Sequence, residues 1–224
     1  MPGGGFVNVL VPGEAGVMLR RPISLCNVFL ERNELHLLVK DLGRGSHVLC
    51  NVAVGQVLNI LAPLGKGFSY PEDKAAKILL IGGGVGVAPL LYWGKLLREK
   101  GFNPVYLLAG KSSSDIPMLE EFAKYGEVHT ATEDGSLGEK GLVTQHSVFT
   151  AGGWNQLYVC GPEPMMKAVA RGSKGVKCEV SLEQKMACGL GACLCCVADT
   201  KEGHKCTCTE GPVFSADYLN WNLE

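Results

Sequence analysis

Several features that would point elsewhere are missing from this sequence. No long basic run is present and the formal net charge is -1, so the electrostatic footprint of a nucleic-acid binder is lacking. No membrane span is expected: the longest uncharged run, Ile78–Gly94, is too short and too rich in glycine. The opening Met1-Pro2-Gly3-Gly4-Gly5 lacks a basic segment followed by an apolar core, so no secretory signal is read. Internal repeats and low-complexity linkers are absent too. With 46% hydrophobic and 19% charged residues the chain is not a disordered one. Its 224 residues suffice for two small domains or one large one. A soluble, cytoplasmic globular protein is expected.

Two residue types are abundant. The 30 glycines fall in short clusters, which suggests backbone pressed close to ligands. Of 10 cysteines, six lie between Cys188 and Cys208, while Cys26, Cys50, Cys160 and Cys178 are scattered. A disulfide scaffold would spread its cysteines to staple loops; a dense cluster points to metal ligation in a reducing compartment. Cys188, Cys193, Cys196 and Cys208 read C-x4-C-x2-C-x11-C, and the first three match the spacing of plant-type [2Fe–2S] ligands. Gly189 and Gly191 can take positive φ, giving a tight loop that points amides at cluster sulfurs. A structural zinc site is the competing reading, but zinc favours paired C-x2-C knuckles and the C-x4-C half does not fit one. Cys195 and Cys206 are spare thiols beside these ligands. Spacing alone leaves Cys206 and Cys208 both open as the fourth ligand, since on an extended segment they would point the same way.

Three textures follow one another along the chain. Residues 1–75 carry short alternating apolar runs, Phe6–Val11, Leu35–Val39 and Val57–Leu61, as in an antiparallel β-barrel or sandwich. Residues 76–173 alternate strand and helix, which implies α/β architecture with a parallel sheet. The predicted strands are Lys77–Ile81, Val105–Ala109, Val128–Thr132 and Leu157–Cys160, and the predicted helices Pro89–Lys100, Met118–Tyr125 and Glu163–Arg171. Residues 174–224 hold the cysteine cluster, show little periodicity, and are expected to have the metal centre as their core.

Two groups of motifs suggest cofactor binding. Arg21-Pro22-Ile23-Ser24 lies between two strand-like runs. Its guanidinium suits a pyrophosphate, and its serine suits a flavin edge. Alone it could equally be an Arg–Pro turn, but Gly43-Arg44-Gly45-Ser46 follows as a candidate phosphate cradle at a helix start, then Pro63-Leu64-Gly65-Lys66-Gly67-Phe68. The loop Gly82-Gly83-Gly84-Val85-Gly86 stands between a buried strand and a helix, where bare backbone can approach a pyrophosphate. It is not G-x-G-x-x-G, and a plain glycine-rich turn competes with that reading. Cys160-Gly161-Pro162 ends a later strand, and in a parallel sheet it would face the same crevice. Taken alone, Cys160 is as well explained as a buried thiol. The segment Lys111-Ser112-Ser113-Ser114-Asp115 could hold a 2′-phosphate or a ribose, so NAD and NADP stay open.

Taken in order, R-P-I-S, G-G-G-V-G-V-A-P and C-G-P resemble the ferredoxin–NADP reductase superfamily. Adding Ser181-Leu182-Glu183-Gln184-Lys185-Met186-Ala187-Cys188-Gly189, Cys208-Thr209-Glu210-Gly211-Pro212-Val213-Phe214 and Thr132-Glu133-Asp134-Gly135-Ser136 narrows the resemblance to electron-transfer subunits of class 1B dihydroorotate dehydrogenases. It covers nearly the whole chain. It implies an FAD-binding β-barrel domain over 1–75, an NAD-binding α/β domain over 76–173 and a [2Fe–2S] subdomain over 174–224. By this resemblance Arg21, Pro22, Ile23, Ser24, Leu38, Val39, Lys40, Gly45 and Ser46 contact FAD. Gly82, Gly83, Gly84, Gly86, Cys160, Gly161 and Pro162 serve the nucleotide site. Cys188, Cys193, Cys196 and Cys208 hold the cluster, Cys208 being chosen because it precedes Gly-Pro-Val-Phe by two residues.

The implied activity passes electrons from an FMN-containing catalytic partner, which oxidises dihydroorotate to orotate in pyrimidine biosynthesis. They travel through the cluster and FAD to NAD+, within a heterotetramer of two of each subunit. No general acid or base is assigned to this chain. Two departures stand out. The family usually carries a first barrel strand before Gly4-Gly5-Phe6-Val7, with Gln where Gly5 stands, so the barrel is expected to lack that strand. Cys195 stands where Gly is typical. The alternatives are a subunit of another flavin/iron–sulfur complex, such as an NADH-dependent ferredoxin–NADP reductase or a sulfide dehydrogenase, and, from another class, a non-catalytic zinc-stabilised regulator.

Overall fold

The computed structural model describes residues 1–14 and 16–221. The first third forms strands β1 (Phe6–Val9), β2 (Arg21–Phe29), β3 (Glu34–Leu37) and β4 (Ile60–Leu64), with helix α1 (Arg44–Cys50) before the last. They pair antiparallel in the order β3-β2-β1-β4, an open four-stranded sheet among the described residues. The segment Arg21-Pro22-Ile23-Ser24, expected to run along an inner wall of the antiparallel sheet, is the opening of β2, paired with β1 from Arg21↔Val9 to Ser24↔Phe6. Proline is tolerated there because β3 joins β2 only from Leu25 onward, so the missing Pro22 N–H faces no partner strand.

The α/β alternation appears as β5 (Ile78–Gly83), α2 (Ala88–Glu99), β6 (Pro104–Gly110), α3 (Leu119–Ala123), β7 (Glu127–Thr132), β8 (Glu139–Lys140), α4 (Ser147–Thr150), β9 (Gln156–Cys160) and α5 (Glu163–Gly172). The predicted helix at Met118 is shorter than expected, because Met118 takes a left-handed φ of 61° and caps α3 rather than joining it. Strands β10 (Lys177–Ser181), β11 (Val197–Thr200), β12 (Gly203–Cys206) and β13 (Val213–Ser215) come from the cysteine-rich tail.

That tail is more ordered than its composition suggests. β10 pairs parallel with β9, and β13 pairs antiparallel with β10, extending the central sheet to β13-β10-β9-β5-β6-β7-β8. The intervening residues form the β11–β12 hairpin and the cysteine loop, a lobe rooted at both ends in the sheet. The main core lies on the two faces of that sheet, with Ile78, Leu79, Leu80 and Ile81 all fully buried. Helix α2 joins this body to the antiparallel sheet, since its Tyr92 packs among Val7, Val9, Leu25 and Val28.

Candidate cofactor sites

A cavity of about 570 Å³ opens where these parts meet. Arg21, Pro22, Ile23 and Ser24 line it from β2; Leu38, Val39 and Lys40 from the segment after β3; Gly45 and Ser46 from α1. All nine residues expected at the flavin therefore face one space. The size suits a ligand of flavin class, and the walls mix apolar Ile23, Leu38 and Val39 with a few polar groups, as such sites require. Gly45 has a steric reason to be glycine. A Cβ there would stand 2.6 Å from Arg21 Nε, so the helix start and the guanidinium are packed face to face. The Arg21 fork is anchored by Nη1 donating to Leu19 O at 2.7 Å. Ser46 Oγ accepts from the amides of Leu42 and Gly43 at 2.9 and 3.0 Å, so this hydroxyl shapes the turn that leads into α1.

The nucleotide loop is built from the ends of two adjacent parallel strands. Gly82 on β5 pairs with Cys160 on β9. A Cβ on Gly86 would lie 2.6 Å from Gly161 Cα, so the two glycine segments touch backbone to backbone. Gly83 is equally tight against Pro162, where a Cβ would stand 2.9 Å from Cδ. Both segments thus converge at the carboxyl ends of the strands, the place where α/β sheets bind nucleotides. Cys160 itself is 1% exposed and belongs to the core; burial first, then the Glu183 carboxylate, pushes its thiol up strongly. Asp115 meets Lys40 at 3.7 Å, tying the loop after β6 to the flavin side.

In the cysteine lobe the sulfurs lie close together. Cys188 lies beside Cys193, and Cys196 beside both Cys206 and Cys208. Among the described residues no three His, Cys, Asp or Glu side chains are arranged to hold a single metal ion. Four cysteine thiolates close together are what the two irons of a [2Fe–2S] site require. Gly189 and Gly191 take φ of 73° and 81°, the left-handed turns expected of them. Leu190 N donates to Cys188 Sγ at 3.3 Å and Gly191 N to Cys208 Sγ at 3.2 Å. The Leu190 amide, with the Cys193 thiol, lowers the Cys188 pKa to about 6. Burial and the neighbouring Cys196 raise Cys208 to about 11, while Cys196 is held low, against its burial, by the Cys208 and Thr207 side chains.

Cys206 and Cys208 do not lie on one extended segment. β12 ends at Cys206 and residues 207–210 turn, so the two thiols occupy different places. Cys195 is exposed and its thiol approaches Lys185 O at 3.6 Å.

A model of the iron–sulfur cluster binding domain of dihydroorotate dehydrogenase B matches residues 183–220, and one of an oxidoreductase NAD-binding domain matches residues 80–171. The dihydroorotate dehydrogenase B (NAD(+)) electron transfer subunit of Bacillus caldolyticus is 37% identical over 217 residues, covering 95% of this chain and 84% of that protein. The chain belongs to the family of dihydroorotate dehydrogenase B electron transfer subunits. The family's protein from Shouchella clausii is 38% identical over 94% of this chain and 83% of its own length. Among solved structures, an NADH-dependent reduced ferredoxin–NADP oxidoreductase described for flavin-based electron bifurcation superposes with a TM-score of 0.88. It shares 28% identity and covers 99% of this chain and 80% of its own. The ferredoxin reductase of carbazole 1,9a-dioxygenase, with a TM-score of 0.63 and 23% identity over 79% of this chain and 57% of its own, shares the fold.

Membership in this electron-transfer family fits the three sites, since its iron–sulfur segment is the cysteine lobe and its NAD-binding segment carries the glycine loops. Sequence reasoning missed part of this cavity. Phe6, Val85, Ala88, Leu182, Glu183, Met186 and Thr207 also line it. In the sequence the S-L-E-Q-K-M stretch stands out only as a family signature. Its position just before the first cluster cysteine was the available sign that it joins the two sites.

Proposed function

We propose that this chain is the electron-transfer subunit of an NAD-linked dihydroorotate dehydrogenase, joining a catalytic partner subunit to NAD+. One observation carries the reading: a single cavity is lined by the Arg21–Ser24 strand, by Val85 of the nucleotide loop and Ala88 at the start of α2, and by Leu182–Met186 leading into the cysteine loop. Three binding segments that lie far apart in sequence share one wall, as an electron relay demands. When bound, FAD and the [2Fe–2S] cluster supply the exchange between single electrons and a hydride.

The protein binds and orients. Arg21, with the amides of Gly45 and Ser46, takes the pyrophosphate; Ser24 meets the flavin edge; Pro22, Ile23, Leu38, Val39 and Lys40 wall the ring. Gly82, Gly83, Gly84 and Gly86, with Cys160, Gly161 and Pro162, receive the nicotinamide nucleotide. Cys188, Cys193, Cys196 and Cys208 hold the cluster. No general acid or base is assigned to this chain. Flavin-binding, nucleotide-binding and cluster-binding regions correspond to 1–75, 76–173 and 174–224, with β10 and β13 rooting the last in the sheet of the second.

The partner carries FMN, two of each subunit assemble, and the complex works in the cytoplasm; these follow from the family resemblance. Among the described residues no helix is long and apolar enough to cross a membrane. The test is to mix the purified chain with the catalytic subunit and measure NAD+ reduction driven by dihydroorotate. The chain alone should oxidise NADH with artificial acceptors yet form no orotate. Orotate formation without the partner would contradict the assignment. The likeness to the bifurcating ferredoxin–NADP oxidoreductase supports a second reading, a subunit of that kind of complex, in which the mixture stays silent and ferredoxin supports turnover.

A further inference from the structure

Asn8 interrupts the apolar run Phe6-Val7-Asn8-Val9 of β1. Successive side chains on a strand face opposite sides. Val7 and Val9 enter the core beneath Tyr92. Phe6 and Asn8 face the other way, and Phe6 packs with Met186, Cys196, Cys206 and Cys208. Asn8 is fully buried, and neither Nδ2 nor Oδ1 has a hydrogen-bond partner among the described residues. A buried amide left unpaired is costly and rare, and its presence calls for an absent partner.

The surroundings show what that partner is. Asn8 Nδ2 lies 2.9 Å from where a Cβ on Gly189 would stand, so the amide occupies the space Gly189 leaves open. Gly189 directly follows Cys188, and its φ of 73° bends the loop around that point. The remaining atoms nearest that position are Leu64 Cδ1 at 3.5 Å and Met186 Sδ at 3.6 Å, neither a strong acceptor. The amide therefore reaches the cysteine loop from below, in a dry setting where thiolate and sulfide sulfurs would be the acceptors. On the opposite strand Asn8 is paired with Pro22, so it stands between the flavin wall and the cluster loop.

We propose that Asn8 is a positioning residue whose amide donates to the sulfurs of the [2Fe–2S] group and raises its reduction potential. Donors to cluster sulfurs favour the reduced, more negative state. The proposal rests on cluster ligation by Cys188, Cys193, Cys196 and Cys208.

The test is a redox titration of the cofactor-loaded chain, followed by electron paramagnetic resonance, for the unaltered protein and Asn8→Leu. The equilibrium constant for one-electron reduction should fall about tenfold in the variant, which is about 59 mV. FAD content and flavin potential should stay unchanged, which a general packing defect would not leave intact. An assembled cluster whose potential equals that of the unaltered chain overturns the proposal. Should Asn8→Leu fail to assemble, the unaltered chain carrying 15N in its asparagine side-chain amides decides. Coupling of that nitrogen to the reduced cluster spin, lost in Asn8→Asp, supports the role, and no coupling overturns it. A loaded chain with no cluster signal at all would instead refute the ligation reading, and the Asn8 proposal with it.

Discussion

The nucleotide crevice and the cysteine lobe are both made of glycine-bent loops, yet they are held in different ways. The crevice sits on the ends of β5 and β9, whose residues Ile78–Ile81 and Tyr158–Val159 are fully buried. Its shape is fixed by a close-packed core and by backbone contact between Gly86 and Gly161. The lobe has a core of Phe6, Met186 and three cysteines, Cys196, Cys206 and Cys208. Much of what packs its interior is therefore thiol. The crevice should keep its form without a ligand, whereas the lobe should depend on the group its sulfurs bind.

The largest effect that would break this contrast lies in the fourth cluster ligand. Cys208→Ser should abolish the cluster, because Cys208 Sγ accepts from the Gly191 amide of the cysteine loop. Cys206→Ser and Cys195→Ser should retain it. Iron analysis and electron paramagnetic resonance of each variant decide, and a normal signal in Cys208→Ser with loss in Cys206→Ser would reverse the assignment. Iron removal by a chelator is next in size. It should loosen amide-exchange protection of β11 and β12 while β5, β6 and β9 stay protected; equal loosening of both would erase the contrast.

The reason one region was legible from sequence and the other less so is physical. Apolar runs with helical and strand periods placed β5, β6, β7, β9, α2 and α5 within a residue or two, because burial on both faces of a parallel sheet leaves a strong pattern. The opening of β2 is less legible, since Pro22 leaves an Arg–Pro turn open as an alternative, although the absence of a β3 partner beside it makes proline harmless. β10 and β13 escaped because Lys177-Cys178-Glu179 looks polar; only the sheet shows that Cys178 and Val180 point inward. The cluster cysteines were visible through spacing. The cavity wall at Leu182–Met186 was not, since it arises from the return of the tail to β9. Asn8 leaves one sign in the sequence, a polar residue within an apolar strand.

Smaller perturbations sharpen the comparison. Arg21→Ala should weaken FAD retention by about 1.5–3 kcal/mol through loss of a charge-assisted contact, with iron content unchanged. Flavin-to-iron ratios after gel filtration measure it, and parallel loss of both groups would mean that sheet and lobe form one unit. Gly86→Ala places a methyl 2.6 Å from Gly161 Cα and should cost about 1–3 kcal/mol by overpacking. It should raise the KM for NADH and spare the cluster signal. The finest effect is in thiol reactivity of the iron-free chain. Cys188, with a pKa of about 6, should be alkylated increasingly as pH rises through 6, whereas Cys208, pushed up to about 11, should stay protonated and slow at pH 7. Mass spectrometry of labelled peptides reads both sites.

The central claim is that the nucleotide, flavin and cluster sites form one relay through a shared cavity. It is tested most directly by adding NADH to the loaded chain without its partner and recording the paramagnetic signal of the cluster. The account expects NADH to reduce the cluster in the unaltered chain, and to leave it oxidised in flavin-depleted Arg21→Ala protein that retains its iron. Cluster reduction by NADH in the absence of flavin, or an oxidised cluster beside a fully reduced flavin under excess NADH, would contradict it.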